Sequence, residues 1–129
     1  MNKVFAKLGA ITYFLWGLLH IEAARRVYTF GASLEPGMLQ GRLFQDAFYL
    51  LFFAIFAIYV ALLCNWKNNR LGYWLNLIVI SAADIGYIVF VLAPGYVPMV
   101  PGALGPLLWV LAVIFSTIAI NKTSPVESI

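Results

Sequence analysis

The sequence predicts an all-α fold, a four-helix bundle embedded in a membrane, and three observations predict it. Hydrophobic residues make up 64% of the 129-residue chain, against roughly 45–50% in soluble globular proteins. Only 10% of its residues are charged, where about 25% is usual. Four apolar stretches, 4–24, 42–64, 71–92 and 103–120, are separated by short polar or Gly/Pro-rich segments. Small soluble folds leave much of their surface in water, so this much apolar surface needs a bilayer as its solvent. At 1.5 Å per residue each stretch spans a hydrocarbon core of roughly 30 Å.

The first stretch follows Lys3 and contains Lys7, His20 and Glu22. It is longer than the apolar part of a signal peptide, and Glu22-Ala23-Ala24 is a poor cleavage site, so it reads as an uncleaved helix. Turn chemistry from Phe30 to Gly41, around Glu35-Pro36-Gly37, predicts the first loop. The second stretch carries Asp46 and the third Asp84, joined by the polar turn Asn65-Trp66-Lys67-Asn68-Asn69-Arg70. Pro94, Gly95, Pro98, Pro101 and Gly102 end the third span, and Pro106 falls in the first turn of the fourth, where a missing N–H costs little. The tail from Asn121 to Ile129 is polar and reads as loose.

Composition excludes several functions. The net charge of +3 is dispersed, with no basic patch for nucleic acid. A single cysteine, Cys64, excludes an internal disulfide and a multi-cysteine metal site. No metal-ligand cluster, phosphate loop or Ser/His/Asp spacing is recognisable, so the expectation is no metal and no cofactor.

Orientation follows from basic residues. Lys3, Lys7, Lys67, Arg70 and Lys122 belong to one side of a four-span chain, and Arg25, Arg26 and Arg42 to the other. The positive-inside rule then places both termini in the cytoplasm, which makes the Asn121-Lys122-Thr123 match to a glycosylation site a chance one.

Helical angles of 100° per residue assign faces. In the first span Ala6, Gly9, Ala10, Tyr13, Trp16, Gly17, His20 and Ala24 share a face opposite Ile11, Leu15 and Leu18. Small residues favour close helix approach in lipid, so the His20 face is the packed one. Glu22 points away from it, beside Arg25 and Arg26. In the second span Arg42, Asp46, Tyr49, Phe53, Ala57, Ala61 and Cys64 align. In the third, Tyr73, Leu77, Ile80, Asp84, Tyr87 and Val91 align, with Ala82, Ala83 and Gly86 as a second small face for another helix or a second copy of the chain. In the fourth, Trp109, Ala112, Val113, Ser116 and Thr117 align.

Counted along the spans, Asp84 lies about 20 Å from the cytoplasmic edge and Asp46 about 6 Å below the outer edge, with His20 at a similar depth. An acidic residue at a helix centre costs roughly 2.5–3.5 kcal/mol to insert, so intramembrane ionisable residues are functional candidates. The expected site is an outward-opening polar cavity lined by His20, Asp46 and Asp84, with Arg42 at its rim. Gln45, Tyr49, Tyr87, Trp16 and Trp109 complete its lining. The plainer alternative is that these groups pair to orient the bundle.

Trp16-Gly17-Leu18-Leu19-His20 late in the first span and Gly105-Pro106-Leu107-Leu108-Trp109 opening the fourth, with the length and span count, resemble the small bacterial four-span proteins grouped as DoxX-like. The resemblance implies a four-helix fold in a bacterial inner (plasma) membrane and carries no chemistry to particular residues. The buried acids also give an analogy to four-span sterol-isomerase-like proteins, without a shared motif. Three functions are compatible with the residues. One is a protein that binds a lipophilic molecule or partner helices. The second is a membrane-embedded enzyme using His20, Asp46 and Asp84 as acid and base. The third is a subunit of a proton-coupled transporter.

Overall fold

The first apolar stretch folds as one 31-residue helix, α1 (Asn2–Ala32), longer than its hydrophobic run. The structure is a computed structural model that describes residues 2–122. The rest of the tail, including Thr123 of the glycosylation match, lies outside the described residues. Helix α2 (Met38–Leu63) follows, then a single 3-10 turn at Asn65–Lys67. Helix α3 (Arg70–Tyr87) continues into a π-helical turn, Ile88–Leu92. A short α4 (Met99–Gly102) leads into α5 (Leu104–Asn121). Four helices, α1, α2, α3 with its π turn, and α5, are long and apolar enough to cross a membrane.

The first loop is shorter than its composition suggested. Helix α1 runs on past Gly31, and α2 starts at Met38 rather than Arg42. The extension is held by tertiary contacts. Tyr28 stacks on Phe44 with ring centroids 4.7 Å apart. The Gln40 amide donates to the carbonyls of Gly31 and Leu34 at 3.1 and 3.0 Å, tying the start of α2 to the end of α1. A Cβ on Gly31 would lie 3.1 Å from Leu43 Cβ, so the glycine allows the helices to meet there.

Helix α1 is the hub, packed chiefly on α2 and α5, with α3 closing the ring against those two. Lipid supplies no hydrophobic force between helices, so close van der Waals fit decides which faces meet. Ala6, Gly9, Ala10, Tyr13, Trp16, Gly17 and Ala24 are buried, and Ile11, Leu15 and Leu18 face outward, as the helical angles predict. A Cβ on Gly9 would lie 3.1 Å from the Ser116 backbone nitrogen of α5, and one on Gly17 would lie 2.9 Å from the Ala54 carbonyl of α2. The two glycines therefore set the spacing of α1 against both neighbours.

Helix α2 follows its predicted face at Phe53, Ala57 and Ala61, which pack into the core, and departs from it toward its start. Its buried stripe is Ala47, Ala54, Ala57, Val60 and Ala61. Arg42, Gln45, Asp46 and Tyr49 are exposed. The alanine stripe lies roughly a quarter turn around the helix from those residues. Alanines let α1 approach closely and larger polar side chains do not, so packing selects the small stripe. Helix α3 follows its predicted face, with Ile80 and Asp84 buried. Of its second small face Ala83 packs against the core, whereas Ala82 is exposed and a Cβ on Gly86 would meet nothing within 4 Å.

Candidate functional site

Trp16, His20 and Asp84 form the polar centre of the bundle. Positions 16 and 20 on α1 are one turn apart, so their rings stack, with centroids 3.7 Å apart and planes 19° from parallel. Helix α3 brings Asp84 against them. Trp16 Nε1 donates to Asp84 Oδ2 at 3.0 Å, and His20 Nε2 lies 3.9 Å from Asp84 Oδ1. Trp16 is 0% exposed; the side chains of Asp84 and His20 are 1% and 13% exposed. The described residues offer no hydrogen-bond partner to Asp84 Oδ1.

Helix α5 closes the site with glycine. A Cβ on Gly105 would lie 3.1 Å from His20 Cε1 and 3.6 Å from Nε2. Since Gly105 lies in the first turn of α5, the site sits at the level where α5 begins. On α1, Glu22 accepts from Arg25 at 2.6 and 2.8 Å and from Arg26 at 3.1 Å on the exposed surface. Arg25 lies about 7 Å beyond His20 along α1, so this charged cluster marks the helix's return toward polar surroundings.

The histidine's hydrogen placement follows from its partner. His20 Nδ1 is 2.8 Å from the Trp16 carbonyl, which can only accept, so Nδ1 carries a hydrogen. When the ring is neutral, Nε2 presents a lone pair toward Asp84 Oδ1. Two acceptors face each other across 3.9 Å, which is favourable when a proton sits on one of them or a donor lies between them.

The sequence-derived set divides in two. His20, Asp84 and Trp16 meet. Tyr87, one turn beyond Asp84, donates to the Gly102 carbonyl at 2.7 Å and fixes the loop that starts α5. Trp109 donates to Ser81 Oγ at 2.9 Å and packs at the edge of the core. Asp46 is exposed and does not join His20 and Asp84. Arg42 donates to Gln45 at 3.0 Å and Gln45 to Tyr49 at 2.8 Å, an exposed chain along α2 and not the rim of a cavity. The expected polar layer therefore contracts to α1 and α3.

A second polar group was missed by the sequence reading. Asn76 is fully buried, and its Nδ2 donates to Asn65 Oδ1 at 2.9 Å and to the Ala57 carbonyl at 3.3 Å, tying α3 to α2. An amide inside an apolar span, on the same face as Ile80 and Asp84, was the signal that could have found it. Nearby, Tyr73 and Thr117 share a hydrogen bond of 3.0 Å, and the buried Tyr13 hydroxyl has no partner among the described residues.

A groove of Ile55, Ile58, Tyr59, Leu62 and Leu63 on α2 is almost wholly apolar and does not touch this centre. Among the described residues no three His, Cys, Asp or Glu side chains converge on one point. No protein-family model matches the chain, and neither a curated protein nor a solved structure is detectably similar to it.

Proposed function

We propose that this chain is a small integral membrane protein that binds a lipophilic molecule through a hydrogen-bond-donating head group at Trp16, His20 and Asp84. The observation that carries this reading is the unpartnered Asp84 Oδ1 facing His20 Nε2 at 3.9 Å. A buried acceptor left unmade costs about 1–3 kcal/mol, and a ligand that satisfies it recovers that cost on binding. An amine or water, with two hydrogens to donate, bridges two acceptors that lie about 4.5 Å apart at ordinary hydrogen-bond lengths, and a hydroxyl does so when one of the two groups is protonated and donates to it. An apolar tail then lies along the lipid-facing helices. The basic residues Lys3, Lys7, Lys67, Arg70 and Lys122 against Arg25, Arg26 and Arg42 support both termini being cytoplasmic. In that orientation the site lies in the outer half of the membrane.

Native mass spectrometry of the detergent-solubilised protein tests the binding reading. The probes are dodecanol, dodecylamine and dodecanoate at equal concentration. The alcohol and amine are expected to remain bound and the carboxylate, which repels Asp84, to dissociate. Asp84→Leu is expected to erase that preference. Equal retention of all three probes by the native chain would remove the reading.

A second reading has its own support in the anchored Nδ1 of His20, which leaves Nε2 as the proton-exchanging nitrogen beside a carboxylate, a pairing suited to general acid–base catalysis. The two readings part at Asp84→Asn. A binding protein releases its amphiphile unchanged, whereas an enzyme turns it over and loses that turnover in Asp84→Asn, which has no titratable group.

A further inference from the structure

We propose that the outer side of the α1–α2 seam binds one anionic phospholipid, with its phosphate at Lys7, Trp66 and Lys67 and an acyl chain in the groove along α2. The head-group end of this site lies at the opposite end of the bundle from His20 and Asp84, and the proposal does not rest on ligand binding there. Two independent observations meet at this place. Lys7 Nζ lies over the Trp66 ring, 5.3 Å from its centroid. The apolar groove of Ile55, Ile58, Tyr59, Leu62 and Leu63 has a volume of about 320 Å³ and ends just before the 3-10 turn that carries Trp66.

The fold brings head-group site and groove together. The turn at Asn65–Lys67 packs on α1 and is anchored from inside, where Asn65 Oδ1 accepts from Asn76 at 2.9 Å. Trp66 faces outward from that anchor and is 41% exposed. Ile58 marks the side of the groove nearest α1, since a Cβ on Gly17 would run into it. Lys7 lies about 15 Å from Gly17 along α1, and Trp66 follows Ile58 by a similar length of chain, so both walls of the seam reach one level. From Ile55 to Leu63 the groove runs about 12 Å along the helix. One leaflet is about 15 Å deep, half of a roughly 30 Å hydrocarbon core, so the groove has the length of one acyl chain's path.

Charge selects the head group. Lys3 precedes Lys7 by one turn of α1, and Lys67 follows Trp66 in its own turn. Among the described residues no ion pair engages these three lysines. Glu22, Glu35, Asp46 and Asp84 belong to the other end of the bundle. An ammonium resting on an indole face keeps N–H groups on its far side for an anion. A phosphodiester supplies that anion, and an indole at this level suits the head-group region. A zwitterionic head group adds an ammonium that the lysines repel, so a lipid of net negative charge is favoured. A free phosphate gains nothing from the groove, which commits the site to a lipid.

Native mass spectrometry of the full chain tests the site, with equal amounts of phosphatidylglycerol and phosphatidylcholine carrying the same acyl chains. Phosphatidylglycerol is expected to be retained about fivefold more, the effect of one lysine beside an anionic lipid. Lys7→Gln should lose that preference, and Lys7→Arg, which also stacks on indole, should keep it. Leu62→Trp fills the groove and should lower retention of both lipids. Arg42→Gln removes the same charge at the other end and should leave the preference unchanged. These three positions are exposed, so the fold should persist, and circular dichroism confirms it. Glycerol 3-phosphate at the same concentration should not be retained. Equal retention of the two lipids by the native chain overturns the site, as does a preference lost equally in Arg42→Gln and Lys7→Gln. Native-like retention by Leu62→Trp, or glycerol 3-phosphate held as firmly as the lipid, overturns the acyl-chain groove and with it the lipid occupant. The dodecanol preference is read separately and should be unchanged in Lys7→Gln, so failure of one proposal leaves the other standing.

Discussion

The indole of Trp16 and the carboxylate of Asp84, 68 positions apart in sequence, are joined by a 3.0 Å hydrogen bond that ties α1 to α3. Both groups are fully or almost fully buried, so the bond is shielded from competing water. It also frees the other carboxylate oxygen to face His20. One contact thus serves packing and aims the functional group.

Removing that donor should cost stability. Trp16→Phe keeps a ring to stack on His20 but leaves both Asp84 oxygens without the indole, and a loss of about 1–3 kcal/mol is expected. Reversible unfolding in mixed micelles, followed by circular dichroism, measures it. The double variant with Asp84→Leu should lose less than the sum of the two single changes, because the acceptor that was stranded is gone. Additive losses would mean that the two groups do not interact.

The two glycines of α1 and α3 make opposite predictions. Gly17→Ala places a methyl against the Ala54 carbonyl and Ile58 of α2, where backbone has to move. Overpacking of this kind costs about 1–3 kcal/mol. Gly86→Ala meets nothing within 4 Å and should be neutral or slightly stabilising through helix propensity. Melting temperatures of the two variants in one detergent decide it. A destabilised Gly86→Ala with altered native mass would reveal a second copy of the chain on that face.

The span count, the buried face of α1 and the stripe through Asp84 on α3 were legible because each rests on periodicity over many residues. On α2 the half with Ala57 and Ala61 was legible and the half near its start was not. Asp46 and Arg42 drew attention there as charges in an apolar stretch, whereas Ala47 and Ala54 make the packed stripe, small residues that control approach in lipid. The helical reach to Ala32 was hidden for a related reason. Gly31 and Ser33 look like turn residues, but Gly31 is glycine for contact with α2, and Gln40 across the loop ties the helix end to α2. The pairing of His20 with Asp84 followed from shared depth and face, while their link through Trp16 needed tertiary structure.

Asn76 should matter for assembly of α2 with α3. Asn76→Leu removes its hydrogen bonds to Asn65 and Ala57. Interhelical hydrogen bonds in membrane proteins contribute about 0.6 kcal/mol on average and up to about 1.7. A loss near the upper end is expected, because one residue makes two bonds and Asn65 keeps a buried oxygen without its donor. Equilibrium unfolding of Asn76→Leu against the native chain measures the difference. A gain in stability would show that burial of the amide outweighs its bonds.

The last prediction concerns orientation. In a Cys64→Ser background, a cysteine at Gly95, in the loop before α4, should react with a membrane-impermeant maleimide on intact cells. A cysteine at Lys67, in the turn between α2 and α3, should react only after permeabilisation. The two positions lie at opposite ends of α3, so their labelling is a matched pair in which expression level cancels. The turn at Lys67 and the start of α1 share one end, since Lys7 sits over the Trp66 ring at 5.3 Å, and a protected Lys67→Cys therefore also fixes the N-terminal side. The reverse pattern would turn the bundle over, and the His20–Asp84 centre would then lie in the cytoplasmic half of the membrane.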